Sequence, residues 1–335
     1  MNDAASEQKW TVLLVHGRGF KPAADAWSSL SFEALRCGIR RDYPDRMPDF
    51  EQLNLEFAYY GDLTNEYLTG LGRRYDEKLD IADRERALEA LCAIRPRKRF
   101  GIRQYDRLKG KSALGEFVAG ITMPLFARIG LTVPMVSLVS KDFGYYLRAP
   151  DEYAARVRKR LRTRLIEILK RGDKLMLVSH GTGSAVAWDV LWGLSHERAE
   201  EAGLDDRKVD TWVTLGAPLG DAGILKRLRG RHAPIGERYP SNVISWVNLS
   251  AEDDYTCHDN TLADDFKKMV RDRYISSVVD YKIYNHAVRY GRSNPHSSIG
   301  YYIHPRLTKI IVDWLPAVEG AAEAPAADGE DLAEP

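Results

Sequence analysis

The stretch Leu175–Ser184, LMLVSHGTGS, constrains this chain more than any other. An apolar run of the kind buried in a parallel strand enters a turn of small residues and leaves it as a helix, Ala185 to Leu194. A strand passed through so tight a turn into a helix is half of a βαβ unit. Other segments repeat the alternation. Thr11–Val15, Leu53–Tyr60, Thr211–Leu215, Val243–Leu249 and Tyr281–Tyr284 read as strands. Ala23–Arg40, Asp151–Arg171 and Tyr302–Trp314 read as helices. In the long one, Asp151 is a candidate N-cap, and Val157, Leu161, Leu165, Ile168 and Leu169 share a face. Strands alternating with helices predict an α/β fold, a doubly wound and mostly parallel sheet covered on both sides.

Three regions fall outside that alternation. Residues 1–9 are a polar arm without the apolar core of a signal peptide. Residues 316–335 carry six acidic and no basic residues, too polar to order by burial. Residues 62–150, between the second and third strands, are far longer than one crossover needs. They read as an inserted cap or lid. Inside the insertion, Arg95–Lys111 holds eight basic residues and one acid, and the largely apolar Ala113–Ser140 follows. A solvated basic loop leading into buried cap helices accounts for this pattern. A peripheral membrane contact through residues 95–140 is the sharper alternative. The prolines and charges within 113–140 interrupt it short of a bilayer span.

Composition narrows the function classes. A net charge of +1 over 335 residues gives the molecule as a whole no bias toward nucleic acid. The cysteines, Cys37, Cys92 and Cys257, are few, odd in number and far apart. They suggest neither a disulfide framework nor a zinc site, and a reducing, cytoplasmic setting is expected. No His/Asp spacing points to a metal, and no cofactor is implied. HGRG at 16–19 and SHGTGS at 179–184 lack the glycine spacing of nucleotide-binding loops.

Ser179-His180-Gly181-Thr182-Gly183 resembles the nucleophile elbow of the α/β-hydrolase superfamily, its lipase and esterase branch, in which a serine holds the central position. Here that position is Gly181. TVLLVHGRGF resembles the first strand and oxyanion loop of such enzymes, TWVTLGAPLG the strand after the elbow helix, and NPHSSIGYYIHP the late loop with the catalytic histidine. The resemblance covers roughly residues 10–315, apart from most of the insertion. It implies a hydrolase domain whose site residues are the nucleophile position Gly181, His296, and Asp254 with Asp253 as second choice. It further implies an oxyanion hole from the backbone of Gly17, Arg18 and Thr182. His258, His286 and His304 compete with His296. His16 and His180 read as structural residues beside the oxyanion loop. A bare turn glycine in another doubly wound family is the plainer account of Gly181.

The resemblance leaves two expectations. One is a hydrolase of small-molecule or lipid-like acyl esters with an atypical or lost nucleophile, in which Asp254 and His296 activate water. The other is an inactive pseudo-hydrolase that binds a ligand or partner. Ser179, Ser184 and Thr182 are poor substitute nucleophiles, because none holds the elbow position.

Overall fold

A computed structural model of the chain describes residues 8–94, 100–108, 140–148, 152–196, 203–204, 207–257 and 261–316. Six strands form one sheet: β1 (Trp10–Val15), β2 (Asn54–Ala58), β3 (Lys174–His180), β4 (Val209–Leu215), β5 (Val243–Ala251) and β6 (Ser277–Ile283). Their order is β2-β1-β3-β4-β5-β6, and every neighbouring pair is parallel. The chain winds one way from β1 to β2 and the other way from β3 onward. The switch point therefore lies between β1 and β3, where doubly wound sheets open a crevice at the strands' carboxyl ends. Register brings the two ends level: Val15 pairs with Ser179, and Ser179 with Thr214.

Helices cover both faces: α1 (Ala24–Asp42), α2 (Gly61–Gly70), α3 (Glu77–Cys92), α4 (Lys141–Arg148), α5 (Glu152–Arg171), α6 (Gly183–His196), α7 (Ser298–Tyr302) and α8 (Pro305–Trp314). Successive strand residues point to opposite faces. Leu13, Val15, Leu175 and Leu177 thus join one core with α5 and α6. Val12, Leu14, Met176 and Val178 join the other with α1, α7 and α8. The central strands β1 and β3 are largely apolar because neither of their faces meets water. On α5 the expected stripe of Val157, Leu161, Leu165, Ile168 and Leu169 is buried.

Several expectations need correction. The last sheet strand begins at Ser277 rather than Tyr281. Its edge position leaves most residues half-buried, so no apolar run announces it. The closing helix divides at Ile303–His304, because Pro305 fits the first turn of a new helix and disfavours helical backbone before it. The described parts of the insertion are built into the main domain. Leu63, Phe143 and Tyr146 belong to one core, and Leu88 and Leu91 to the other. Nearly all of 113–140, much of the basic run at 95–111, most of the N-terminal arm, nearly all of the acidic tail, Asp151 and His258 lie outside the described residues.

Cys37 on α1 and Cys92 at the end of α3 are joined by a disulfide, their Cα atoms 6.0 Å apart. The packing of α3 on α1 creates that proximity across 55 residues, which spacing alone does not reveal. The bridge departs from the expectation, drawn from the cysteine count, that no disulfide framework is present. Among the described residues, no helix is long and apolar enough to cross a membrane.

Candidate active site

β3 ends in the elbow. Gly181 adopts φ 54°, the left-handed conformation that favours glycine, and its N–H donates to Leu215 O at 2.8 Å. The turn after β1 lies against it. A Cβ on Gly183 would come within 2.3 Å of His16 O, so this contact requires the bare backbone. The N–H groups of Arg18 and Thr182, the expected oxyanion donors, bond to no other described residue. Gly17 lies beside them, its Cβ position 3.5 Å from Thr182 N.

Asp254 follows β5, and His296 precedes α7. His296 Nδ1 donates to Asp254 Oδ2 at 2.9 Å, and the Tyr301 hydroxyl donates to the same oxygen at 2.8 Å. Thr256 N donates to Oδ1 at 3.0 Å. The Asp254 side chain is fully buried. Burial alone would raise its pKa, but the His296 charge and the hydrogen bonds outweigh burial and hold the carboxyl below its ordinary range. Asp253, with φ 61°, turns away and accepts from the Tyr105 hydroxyl at 2.9 Å. Of the two acids, Asp254 is the one that meets His296.

The other edge of the His296 ring lies over Gly181. A Cβ placed there would stand 2.8 Å from Nε2 and 2.9 Å from Cε1, closer than real Cβ contacts allow. The imidazole thus occupies part of the volume that a side chain at 181 would need. Nε2 is buried and has no hydrogen-bond partner among the described residues.

Four other described histidines make structural hydrogen bonds. His180 Nε2 donates to His296 O at 3.0 Å, holding the loop that carries the dyad. His16 accepts from Tyr60 N at Nε2, 3.1 Å, which leaves its proton on Nδ1 facing Gly17 O. Burial keeps both rings well below the ordinary histidine pKa. His286 bonds Tyr284 O, and His304 caps α8 by accepting from Arg306 N. Ser179 and Ser184 bond to each other at 3.0 Å and are fully buried, and Trp212 Nε1 also donates to Ser179 Oγ. Neither hydroxyl faces the dyad's cleft. Among the described residues, no group of three or more His, Cys, Asp or Glu is placed to hold a metal ion.

Sequence reasoning missed Tyr301, which sits in the same late motif as His296 and donates to the same oxygen of Asp254. It also missed Lys21, buried at the cleft wall. Lys21 Nζ donates to the carbonyls of Arg18, Gly19 and Phe20. Burial and the nearby Arg84 charge lower its pKa to about 7. A single lysine in a polar loop gives no signal for this.

No family model, curated protein or solved structure matches the chain.

Proposed function

We propose that this chain is a pseudo-hydrolase of the α/β-hydrolase type, a protein that keeps the ligand site of a lipase- or esterase-like enzyme without its covalent route. One observation carries this reading: the His296 ring edge fills the place of the missing serine side chain while Nδ1 keeps its bond to Asp254. Ser179 and Ser184, the serines that flank the elbow, are sealed in the core and offer no substitute nucleophile. Contact between the ring and Gly181 also leaves no room for a water directly between them.

The ligand class suggested by the resemblance is a small or lipid-like acyl compound, seated with its carbonyl toward the amides of Arg18 and Thr182. A second reading is hydrolysis by water drawn to His296 Nε2 from the cleft side. The ionised Asp254 favours it, because a carboxylate on Nδ1 orients the ring and stabilises the imidazolium that forms during base catalysis.

The two separate cleanly. The purified chain is exposed to a fluorophosphonate probe and to short and medium acyl p-nitrophenyl esters. The imidazole NMR signals of His296 are followed as a neutral ester is added. The binding reading expects no labelling, no turnover above buffer, and a shift of the His296 signals. Turnover that disappears in His296→Ala, without probe labelling, would establish the water route instead. Labelling of the unaltered protein would overturn both.

A further inference from the structure

A cleft of about 270 Å³ opens beside His296. Its walls carry the cations Arg18, Lys21, Arg73, Arg84 and Arg289. These do not all stand alike. Arg84 donates to Asp80 at 2.8 Å, and Arg289 spans Asp80 and Asp83. Lys21 is caged by backbone carbonyls. Arg18 and Arg73 have no carboxylate within hydrogen-bond reach among the described residues. Asp142, the one acid in the wall, is occupied by Gly19 N at 2.7 Å and Ser140 Oγ at 3.0 Å. Asp142 and Asp254 are the acids close enough to act on the Arg18 charge. The guanidiniums of Arg84 and Arg289 are thus matched by Asp80 and Asp83, whereas those of Arg18 and Arg73 reach the cleft with no carboxylate bonded to them among the described residues.

A neutral acyl ligand gives no account of the two unbonded guanidiniums. An anion does, because a guanidinium fork matches two oxygens of one anionic group. Ser297 supplies a neutral donor. It is 5% exposed, lines the same cleft, and its Oγ has no partner among the described residues. Two guanidiniums and a neutral hydroxyl on one small volume suit the several oxygens of a phosphate better than a single carboxylate.

We propose that this cleft is a phosphate subsite, with Arg18 as its main contact and Ser297 Oγ as a second donor. It would hold a phosphate group of the same ligand whose other end lies at His296. The inference rests on the reading of the Gly181–Asp254–His296 site as a ligand site, and names the chemistry of that ligand.

The test uses the full chain and inorganic phosphate, titrated calorimetrically at fixed ionic strength against acetate. Phosphate is expected to bind, and acetate to bind more weakly. A hydrogen bond to a charged group is worth about 1.5–3 kcal/mol, so Arg18→Gln should weaken phosphate by roughly 10-fold or more. Ser297→Ala should weaken it a few-fold. Arg162→Gln, on α5 and outside the cleft, should leave the affinity unchanged. Saturation should move the His296 imidazole signals. Equal affinity in Arg18→Gln, acetate as tight as phosphate, or no phosphate binding at all would overturn the subsite. If phosphate fails while a neutral ester still moves His296, the subsite falls and the ligand-site reading stands. Arg18-dependent phosphate binding with unmoved His296 signals upholds the subsite and counts against the dyad as part of it.

Discussion

A β-carbon at position 181 would collide with the His296 ring, and that contact sets what a serine there can do. Left-handed backbone at a non-glycine residue costs about 1–3 kcal/mol. Gly181→Ser adds the cost of moving the ring, because its Cβ would lie 2.8 Å from Nε2. The His296 loop has to withdraw by a few tenths of an ångström, and Oγ then falls within reach of Nε2. Gly181→Ala carries the same strain and the same collision without the hydroxyl. Both variants are expected to melt below the parent by similar amounts, and only Gly181→Ser to react with a fluorophosphonate. Equal melting temperatures in all three proteins would show that the ring yields freely. A folded Gly181→Ser that never labels would show that the ring moves out of register with the new hydroxyl. At this scale the sequence was informative about which residues meet: Gly181, Asp254 and His296 lie at strand ends or in the loop after the last strand, where order along the chain identifies them. It could not show how near they come. The intrusion of His296 into the elbow is a matter of less than an ångström, and motif spacing carries no such resolution.

Among the elements, α1 and α3 are tied twice, by packing in one core and by the bond between Cys37 and Cys92. Closing a loop of 55 residues removes unfolded-state entropy worth about 4 kcal/mol on the chain-entropy account. Cys37→Ser is therefore expected to lower the thermal midpoint of the oxidised protein, and the reductant that lowers the parent's midpoint should have no further effect on the variant. A parent indifferent to reductant would mean that the thiols are not joined in solution. α3 also carries Arg84 to the wall of the cleft, and behind it Asp80 and Asp83 bind Arg289 of the short hairpin Val288–Arg289 and Arg292–Ser293. The amphipathic stripe of α5 was plain in the sequence because every fourth or third residue is apolar. The core residues of α3 were not, since its charged residues serve both solvent and a buried ion network and blur the periodicity. Asp80 and Asp83 are buried at least as deeply as Leu88. A sequence cannot distinguish such an acid from a solvated one until its arginine is in place.

Over the whole molecule, buried titratable groups predict how stability depends on pH. His16 and His180 are held neutral in the fold, with pKa values well below the unfolded value of 6.5. The unfolded chain binds more protons below that pH, so stability is lost as pH falls from about 6.5 toward the folded values. Each group can contribute a slope of up to about 1.4 kcal/mol per pH unit. Lys21 acts in a higher window. Its pKa rises from about 7 in the fold to 10.5 when unfolded, so between those values stability rises with pH. Burial raises the folded pKa of Tyr60, Tyr146 and Tyr301 above 10.0, so their contribution is present below that pH and is lost above it. Thermal denaturation across pH 5–11 should therefore show a maximum between about 7 and 10. A maximum near pH 5 would mean that these histidines and Lys21 are not buried as described. The parallel, doubly wound architecture was legible because it follows from alternating strands and helices, whereas the packing of the insertion into both cores depends on contacts between residues far apart in the chain. The level ends of β1 and β3 have a further consequence. They bring residues 16–18, 181, 254 and 296 to one crevice, so the site draws on segments spread over about four-fifths of the chain. No early fragment contains it, and each loop between these segments must close before the crevice exists. The site is thus a late product of folding, and a ligand held there fastens the first and last thirds of the chain together at a single point.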